Sequence, residues 1–99
     1  MNYKLRFPTN SLKKKFDKKV GNIPRYIQKK VSETLENLKK NPRPESEPKI
    51  KPPIPIASYI AQYRKRIGNY RILYDIDDKN KIVWILAFRG RNEKTYRSR

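Results

Sequence analysis

Residues 63–74 read YRKRIGNYRILY, in which two short runs of aromatic, apolar and basic side chains flank Gly68 and Asn69. A Gly-Asn pair between two such runs is typical of a two-residue β-hairpin turn. This turn sets the register of the strands, because it places Arg66 directly opposite Arg71. The stretch therefore predicts two paired antiparallel strands, and the rest of the fold can be predicted outward from them.

The same register divides the side chains of this hairpin between two faces. Because side chains alternate along strands, Arg64, Arg66 and Arg71 share one face. The other face carries apolar and aromatic side chains together with Lys65, so the helices that cover the core are expected there. Opposed like charges cost a few tenths to about 1 kcal/mol. The arginines either cover apolar surface with their stems or form a site for an anion.

Two further strands are predicted, one at each end of the chain. One is expected over about 81–88, because residues 82–88, IVWILAF, are continuously apolar, as expected of a central strand covered on both faces. Residues 3–7 alternate apolar and basic side chains up to Pro8, which predicts a short half-buried strand. The hairpin strands are expected over about 59–67 and 69–76.

Two amphipathic helices are predicted between the first strand and the hairpin. Thr9 or Asn10 caps the first helix, and Gly21 is expected at its C′ position. The second helix begins near Pro24 and ends at Asn41, before a proline. The apolar stripes of the two helices comprise Leu12, Phe16, Val20, Ile27, Val31, Leu35 and Leu38. The two helices should form an antiparallel pair that lies on a sheet.

The segment 42–55, PRPESEPKIKPPIP, holds six of the eight prolines and so can be neither a helix nor a central strand. We interpret it as a long loop within a single domain spanning residues 1–99. The predicted fold is α+β with the order β-α-α-β-β-β. The helical hairpin packs on one face of a small, mainly antiparallel four-stranded sheet.

Composition limits the chemistry and the partners of this chain. Cysteine and histidine are both absent, which excludes zinc sites of the usual kind, thiol nucleophiles, disulfides and imidazole catalysis. We expect neither a metal nor another cofactor. With 26 Lys plus Arg against 9 Asp plus Glu, the net charge of +17 indicates a polyanionic partner, nucleic acid before an anionic membrane or an acidic protein. No apolar run suits a membrane span or signal peptide, so a cytoplasmic location is expected.

The C-terminal stretch FRGRNEKTYRSR, residues 88–99, adds more cations around one tyrosine, Tyr96. Its cations are Arg89, Arg91, Lys94, Arg97 and Arg99. Single-stranded RNA suits such a segment, because a splayed base stacks on an aromatic ring while guanidinium groups bind phosphates.

The chain resembles the RelE/ParE toxin superfamily of bacterial and archaeal toxin–antitoxin systems. The likeness lies in the element order, in YRKRIGNYRILYDID at residues 63–77 and in FRGRNEKTYR at residues 88–97. The corresponding family pattern is Y-R-x-R-x-G-D-Y-R, followed by two hydrophobic residues and Tyr. RelE-like members are small basic endoribonucleases that cut mRNA, typically in the ribosomal A site, whereas ParE-like members share the fold and poison DNA gyrase.

The resemblance implies roles for several residues of this chain. Arg71 corresponds to the arginine that stabilises the scissile phosphate, Arg91 to the arginine after the last strand, and Tyr96 to a tyrosine that stacks on or orients the nucleotide. Arg64 lies near one of two lysines that such enzymes carry before the turn, and the other position falls at about Gln62. Further RNA contacts are expected from Lys65, Arg66, Arg89, Lys94 and Arg97.

The reaction that these residues suit is attack of the ribose 2′-OH on the adjacent phosphorus, without a metal. The general base is not assigned, because Tyr96 and Lys65 are both candidates and the hairpin register puts Lys65 on the face away from the arginines. Ribosome, mRNA and an acidic antitoxin are the expected partners, with no membrane and no small-molecule cofactor. A ParE-like gyrase inhibitor and a non-catalytic RNA-binding module are the alternatives.

Overall fold

The structure, a computed structural model, describes residues 2–43 and 49–90. One strand comes first in this part of the chain, followed by two helices and then by five strands, in an α+β order. The elements are β1 (Lys4–Arg6), α1 (Asn10–Gly21), α2 (Arg25–Lys40), β2 (Ile54–Ile56), β3 (Tyr59–Ala61), β4 (Tyr63–Ile67), β5 (Tyr70–Asp77) and β6 (Ile82–Gly90). Within the described ranges, neither helix is both long and apolar enough to cross a membrane.

The main sheet has four strands in the order β1-β6-β5-β4. Strand β1 runs parallel to β6, and the other neighbouring pairs are antiparallel. The two helices cover one face, which we call the helix face, and most of their apolar residues pack there against Ile72, Ile85 and Phe88. Leu12 of α1 is the exception, because it packs with Leu73 and Leu86 in a second cluster. This arrangement confirms the predicted fold class, including the central position of the apolar strand that contains residues 82–88.

The hairpin register is confirmed. Ile67 pairs with Tyr70, and Arg66 pairs with Arg71. Gly68 has a φ of 59°, in the left-handed region that a residue without Cβ adopts at no steric cost. A positive φ at the first of the two turn residues is the pattern of a type II′ turn, whose twist matches that of the paired strands.

The helix ends agree with the sequence at one terminus and differ at another. The Thr9 side chain caps α1 by accepting a hydrogen bond from the Leu12 amide at 3.1 Å, as predicted. The prediction of Gly21 at C′ was wrong, because Gly21 is still helical and Asn22 is the C-cap. Asn22 has a φ of −100°, and its amide donates to the Lys19 carbonyl. The chain then enters α2 directly after Pro24, so no left-handed residue is needed.

The predicted strand over 59–67 is divided at Gln62. Its first part, β3, pairs with β2 in a separate two-stranded sheet, and its second part, β4, pairs with β5. In the small sheet Ile54 lies opposite Ala61, and Ile56 lies opposite Tyr59. The division arises because β2 provides a second partner strand from inside the proline-rich segment. The prediction of a loop throughout 42–55 was therefore wrong at its end, where Ile54 and Pro55 lie in β2, although β2 is not a central strand.

The small sheet covers part of the main sheet on the face opposite the helices, which we call the open face. Ile56 and Ala61 pack there against Leu73, which is fully buried. Ile50, in the loop before β2, belongs to the same cluster and its amide donates to the Gln62 carbonyl at 2.8 Å. Strand β6 is therefore covered on both faces over its middle, as its continuous apolar sequence indicated.

A β-bulge interrupts the pairing of β5 with β6. Leu73 lies opposite Ala87, whereas the next residue, Tyr74, lies opposite Ile85. Leu86 is thus an extra residue with no partner directly across, and its side chain joins Leu73 in the open-face cluster. A bulge of this kind shifts the alternation of side chains by one residue.

Candidate functional site

Three arginines lie side by side across three strands at the turn end of the open face. Arg66 on β4 pairs with Arg71 on β5, and Arg71 pairs in turn with Arg89 on β6. Paired residues share a face, and neighbouring strands lie about 4.8 Å apart. We call Arg66, Arg71 and Arg89 the arginine row. Three guanidinium groups at this spacing form a strongly positive strip that suits the phosphates of a nucleic acid.

The arginine row borders a surface cavity of about 180 Å³ next to the hairpin turn. Arg66 and Arg71 line it together with Gly68, Asn69 and Tyr70. This volume is several times the roughly 30 Å³ that a water occupies in the liquid, so the cavity can admit a phosphate group. Arg66 is exposed, whereas Arg71 and Arg89 are half-buried.

Arg64 lies one step further from the turn on the same face, opposite Leu73. Its side chain is half-buried, and its Nε is buried without a hydrogen-bond partner among the described residues. An unsatisfied buried donor costs about 1–3 kcal/mol. A phosphate oxygen held beside the arginine row would satisfy this donor.

The other residues chosen from the sequence lie elsewhere. Lys65 pairs with Ile72 and so points to the helix face, away from the arginine row. The remaining predicted site residues fall outside the residues that the structure describes: Arg91, Lys94, Tyr96 and Arg97. The described part of the site therefore consists of Arg64 and the arginine row.

A second row crosses the same face at the far end of the hairpin, and sequence reasoning missed it. Asp75 on β5 pairs with Trp84 on β6, and Trp84 pairs with Arg6 on β1. On the other side, Gln62 donates from Nε2 to Asp75 Oδ1 at 3.2 Å. We call Gln62, Asp75, Trp84 and Arg6 the mixed row. Extending the confirmed hairpin register by one residue would have placed Gln62 opposite Asp75.

The β5–β6 turn carries acidic side chains that are already bound within the protein. Arg43 donates two hydrogen bonds to Asp78, at 2.9 and 2.7 Å, and Tyr3 Oη donates to Asp78 Oδ1 at 2.6 Å. These bonds, above all those from Arg43, hold the pKa of Asp78 well below its usual range. Hydrogen bonding to the Asp78 carboxylate raises the pKa of Tyr3. We call Tyr3, Arg43, Tyr63 and Asp78 the turn network, because Arg43 Nε also donates to Tyr63 Oη at 3.3 Å.

Two other polar contacts fix the same end of the sheet. Asp77 accepts hydrogen bonds from the Asn80 amide at 3.1 Å and from Asn80 Nδ2 at 2.9 Å, and these bonds lower the pKa of Asp77. The buried hydroxyl of Tyr74 donates to the Pro42 carbonyl at 2.7 Å. Asp77 and Asp78 thus have structural roles in the turn.

The sequence matches a family model described as the ParE toxin of type II toxin–antitoxin systems, parDE, over residues 9–95. The chain belongs to this toxin family. The predicted membership of the RelE/ParE superfamily is therefore confirmed, and the protein is a toxin of a toxin–antitoxin system. No curated protein sequence matches the chain.

Solved structures with a similar fold include RelE-like toxins from three organisms. The archaeal RelE–RelB complex of Pyrococcus horikoshii has a TM-score of 0.68 at 23% identity, covering 94% of this toxin and 99% of that chain. The RelBE2 toxin–antitoxin complex of Mycobacterium tuberculosis gives 0.66 at 23% identity, with 94% and 95% coverage. A mutant of Escherichia coli toxin RelE in the free state, in which two arginines are replaced by alanine, has a TM-score of 0.57 at 19% identity, with 96% and 88% coverage. At these identities the likeness establishes the fold.

Proposed function

We propose that this toxin is a ribosome-dependent mRNA endoribonuclease that cleaves by 2′-OH attack without a metal. The observation that carries the proposal is the arginine row on the open face, next to Arg64 with its unsatisfied buried Nε. This arrangement opposes like charges at a cost to stability of a few tenths to about 1 kcal/mol per pair. A polyanionic substrate would offset that cost.

In the proposed reaction, the ribose 2′-oxygen forms a bond to the adjacent phosphorus and the bond from phosphorus to the 5′-oxygen breaks. The products are a 2′,3′-cyclic phosphate and a 5′-OH end. Arg71, with Arg64 and Arg91, would stabilise the negative charge that grows on the phosphoryl oxygens. A well-placed donor of this kind contributes about 3–4 kcal/mol to transition-state stabilisation.

Proton transfer is the weaker part of this chemistry. Arginine is a poor proton carrier, because its pKa exceeds about 12. Tyr96 is the proposed group near the 2′-OH, although a tyrosine with an ordinary pKa near 10 is ionised to only about one part in a thousand at pH 7. Slow cleavage of free RNA is therefore expected, and the ribosome would accelerate it by orienting the 2′-OH towards the phosphorus.

The proposed partners follow from charge. RNA contacts are assigned to Arg66, Arg89, Lys94 and Arg97 on the open face and tail, and Lys65 would contact RNA only beyond the edge of β4. An acidic antitoxin would associate rapidly with a chain of net charge +17 and would cover the arginine row. The cytoplasm, where mRNA and ribosomes occur, is the proposed location.

The test is inducible expression followed by mapping of mRNA ends, together with cleavage of mRNA by purified toxin on ribosomes. Arg71→Ala should lower the cleavage rate by about 10²- to 10³-fold. Lys79→Ala is the matched control, because Lys79 is an exposed cation in the β5–β6 turn, at the opposite end of the hairpin. It should keep the wild-type rate. Growth arrest with intact mRNA, or full toxicity of an Arg64→Ala, Arg71→Ala double variant, would overturn the proposal.

A second candidate function is inhibition of DNA gyrase, favoured by the match to the ParE toxin family. In that case the arginine row would bind protein or DNA, and no RNA would be cut. Double-strand DNA breaks with a DNA-damage response and unchanged mRNA ends would favour this candidate. A non-catalytic RNA-binding module would instead bind RNA with a steep salt dependence and cause no growth arrest.

A further inference from the structure

The mixed row places three different chemical groups next to one another on neighbouring strands. Asp75 offers a carboxylate, Trp84 an indole ring and Arg6 a guanidinium, each about 4.8 Å from the next strand. Arg6 is exposed, whereas Asp75 and Trp84 are half-buried. The spacing from an acceptor through a flat ring to a cation matches the base edge, base plane and phosphate of one nucleotide.

A cavity of about 320 Å³ lies over the centre of this row. Its floor includes Asp75 and Trp84, and its walls are formed by Tyr59 and Ile60 of the small sheet together with Pro8 and Leu86. Tyr59 and Ile60 are 37% and 49% exposed, so they offer apolar surface to a ligand. The volume lies within the range of small-molecule sites, which are mostly apolar with a few placed polar groups.

The hydrogen bonds of Asp75 define what the cavity can recognise. Its Oδ1 accepts from Gln62 Nε2 at 3.2 Å and from the Ile76 amide at 2.9 Å, so the carboxylate is held in one orientation. Among the described residues no donor binds its Oδ2. A carboxylate of this kind accepts hydrogen bonds and offers none in return. It also repels phosphate, so a ligand must present N–H or O–H groups to it.

We propose that this cavity binds a guanine base of single-stranded RNA. Guanine presents two adjacent donors, N1–H and N2–H, which can both converge on the open Oδ2 of Asp75, whereas adenine, cytosine and uracil each present fewer donors on that edge. The base would stack on Trp84 beside Tyr59, and its phosphate would extend to Arg6. RNA is the favoured occupant because the arginine row lies on the same face, four residues away along β5, or about 13 Å.

This inference deepens the proposed function and rests on it, because it names the base that the RNA-cleaving toxin reads. The mixed row selects the sequence and the arginine row binds the phosphate to be cut. The short sheet of β2 and β3 packs on Leu73 and Leu86 between the two rows. The RNA strand would therefore pass over or around that sheet between the base that is read and the bond that is cut.

The experiment uses Trp84 as an internal probe, because it is the single tryptophan of the chain. The full-length toxin is titrated with 5′-GMP, 5′-AMP, 5′-CMP and 5′-UMP, and the quenching of tryptophan fluorescence is recorded. GMP should quench saturably, with an affinity about tenfold or more above that of the other three. Equal affinity for all four nucleotides, or no saturable quenching by any of them, would overturn the assignment.

Two variants test the roles within the cavity. Asp75→Asn should abolish the preference for GMP, whereas the matched control Asp77→Asn removes the same charge from a carboxylate bonded to Asn80 and should keep the preference. A preference that survives Asp75→Asn would overturn the proposal. Because a half-buried substitution can unfold the chain, Arg6→Gln at an exposed edge position gives a second test. It should lower the affinity for all four nucleotides about equally and leave the affinity for guanosine, which has no phosphate, unchanged.

The two proposals fail in different ways. Loss of RNA cleavage in every assay, with intact GMP-selective quenching, would overturn the nuclease and leave the base site standing. Cleavage whose position does not depend on guanine, in wild type and in Asp75→Asn alike, would overturn the base site and leave the nuclease standing. Saturable quenching by the antitoxin's isolated peptide segments in place of nucleotides would identify the cavity as a protein-docking site and would also overturn the inference.

Discussion

Charged side chains are arranged in opposite ways at the two ends of the β4–β5 hairpin. At the β5–β6 turn, the cation Arg43 donates to the carboxylate of Asp78 and to the Tyr63 hydroxyl, and the Tyr3 hydroxyl donates to the same carboxylate. At the Gly68-Asn69 turn, Arg66 faces Arg71 and the sequence from 63 to 74 contains no acidic residue. The first end is organised for stability, since its charges are paired. The second concentrates positive charge at a cost to stability, as expected of a surface that attracts a polyanion.

Tyr74→Phe should give the largest change at the stable end of this comparison. It removes the buried hydroxyl that binds the Pro42 carbonyl at 2.7 Å, and a buried acceptor left without its donor costs about 1–3 kcal/mol. Urea denaturation measures the loss in the free energy of unfolding. Tyr26→Phe is the matched control: Tyr26 is 68% exposed, so the change should stay within about 0.5 kcal/mol. RNA cleavage by the folded Tyr74→Phe protein should be unchanged, and a parallel loss of activity would contradict the separation of the two ends.

Arg66→Gln should act in the opposite direction at the other end. Removing one of two directly opposed charges should raise the free energy of unfolding by a few tenths to about 1 kcal/mol. RNA binding should weaken, and the slope of log affinity against log salt should decrease by about 0.7, the value for one phosphate contact on a single strand. Lys14→Gln, an exposed change on α1, controls for net charge in the denaturation experiment. A less stable Arg66→Gln protein would show that the arginine row has a structural role.

The smallest expected effect is the pH dependence of stability that arises from the turn network. The pKa of Asp78 is depressed in the folded protein, chiefly by Arg43, so its contribution to stability is present above the unfolded value of about 3.9 and is lost as the pH falls towards the folded pKa. Asp78→Asn should therefore be less stable than wild type at pH 7, with the difference shrinking below about pH 4. Thermal denaturation across this pH range measures it. The control Glu33→Gln, on the exposed surface of α2, should lower the stability at pH 7 by less. If the stability difference between Asp78→Asn and wild type persists undiminished in acid, the role given to the Asp78 carboxylate is contradicted.

The parts of the fold that could be predicted are those encoded by local pattern. Gly68 and Asn69 fix the hairpin register, and the apolar run of β6 fixes its central position. The division at Gln62 could not be predicted, because the alternation of side chains continues through it. What separates β3 from β4 is pairing with Ile54–Ile56, a strand hidden in a proline-rich segment. Pairing with a distant segment leaves no mark on local periodicity.

The candidate site likewise combines contacts that local sequence predicts with contacts that it does not. The juxtaposition of Arg66 with Arg71 follows from turn geometry, but the addition of Arg89 depends on the register of β5 with β6, which contains a bulge. The mixed row joins Arg6 to Trp84 across most of the sequence, through a parallel pairing that has no connecting turn. Long-range pairing of this kind is decided by the packing of the whole sheet. The roles assigned to Arg91 and Tyr96 stay predictions.

The bulge at Leu86 has a consequence for the two rows. Trp84 and Arg89 are five residues apart on β6, an odd number, and in a regular strand they would point to opposite sides of the sheet. The extra residue restores them to the same side, where one faces Asp75 and the other Arg71. The length of β6 is thus as important as its composition. Deleting a single residue there would turn one row into the helix-covered core, a larger disruption than any substitution on the open face.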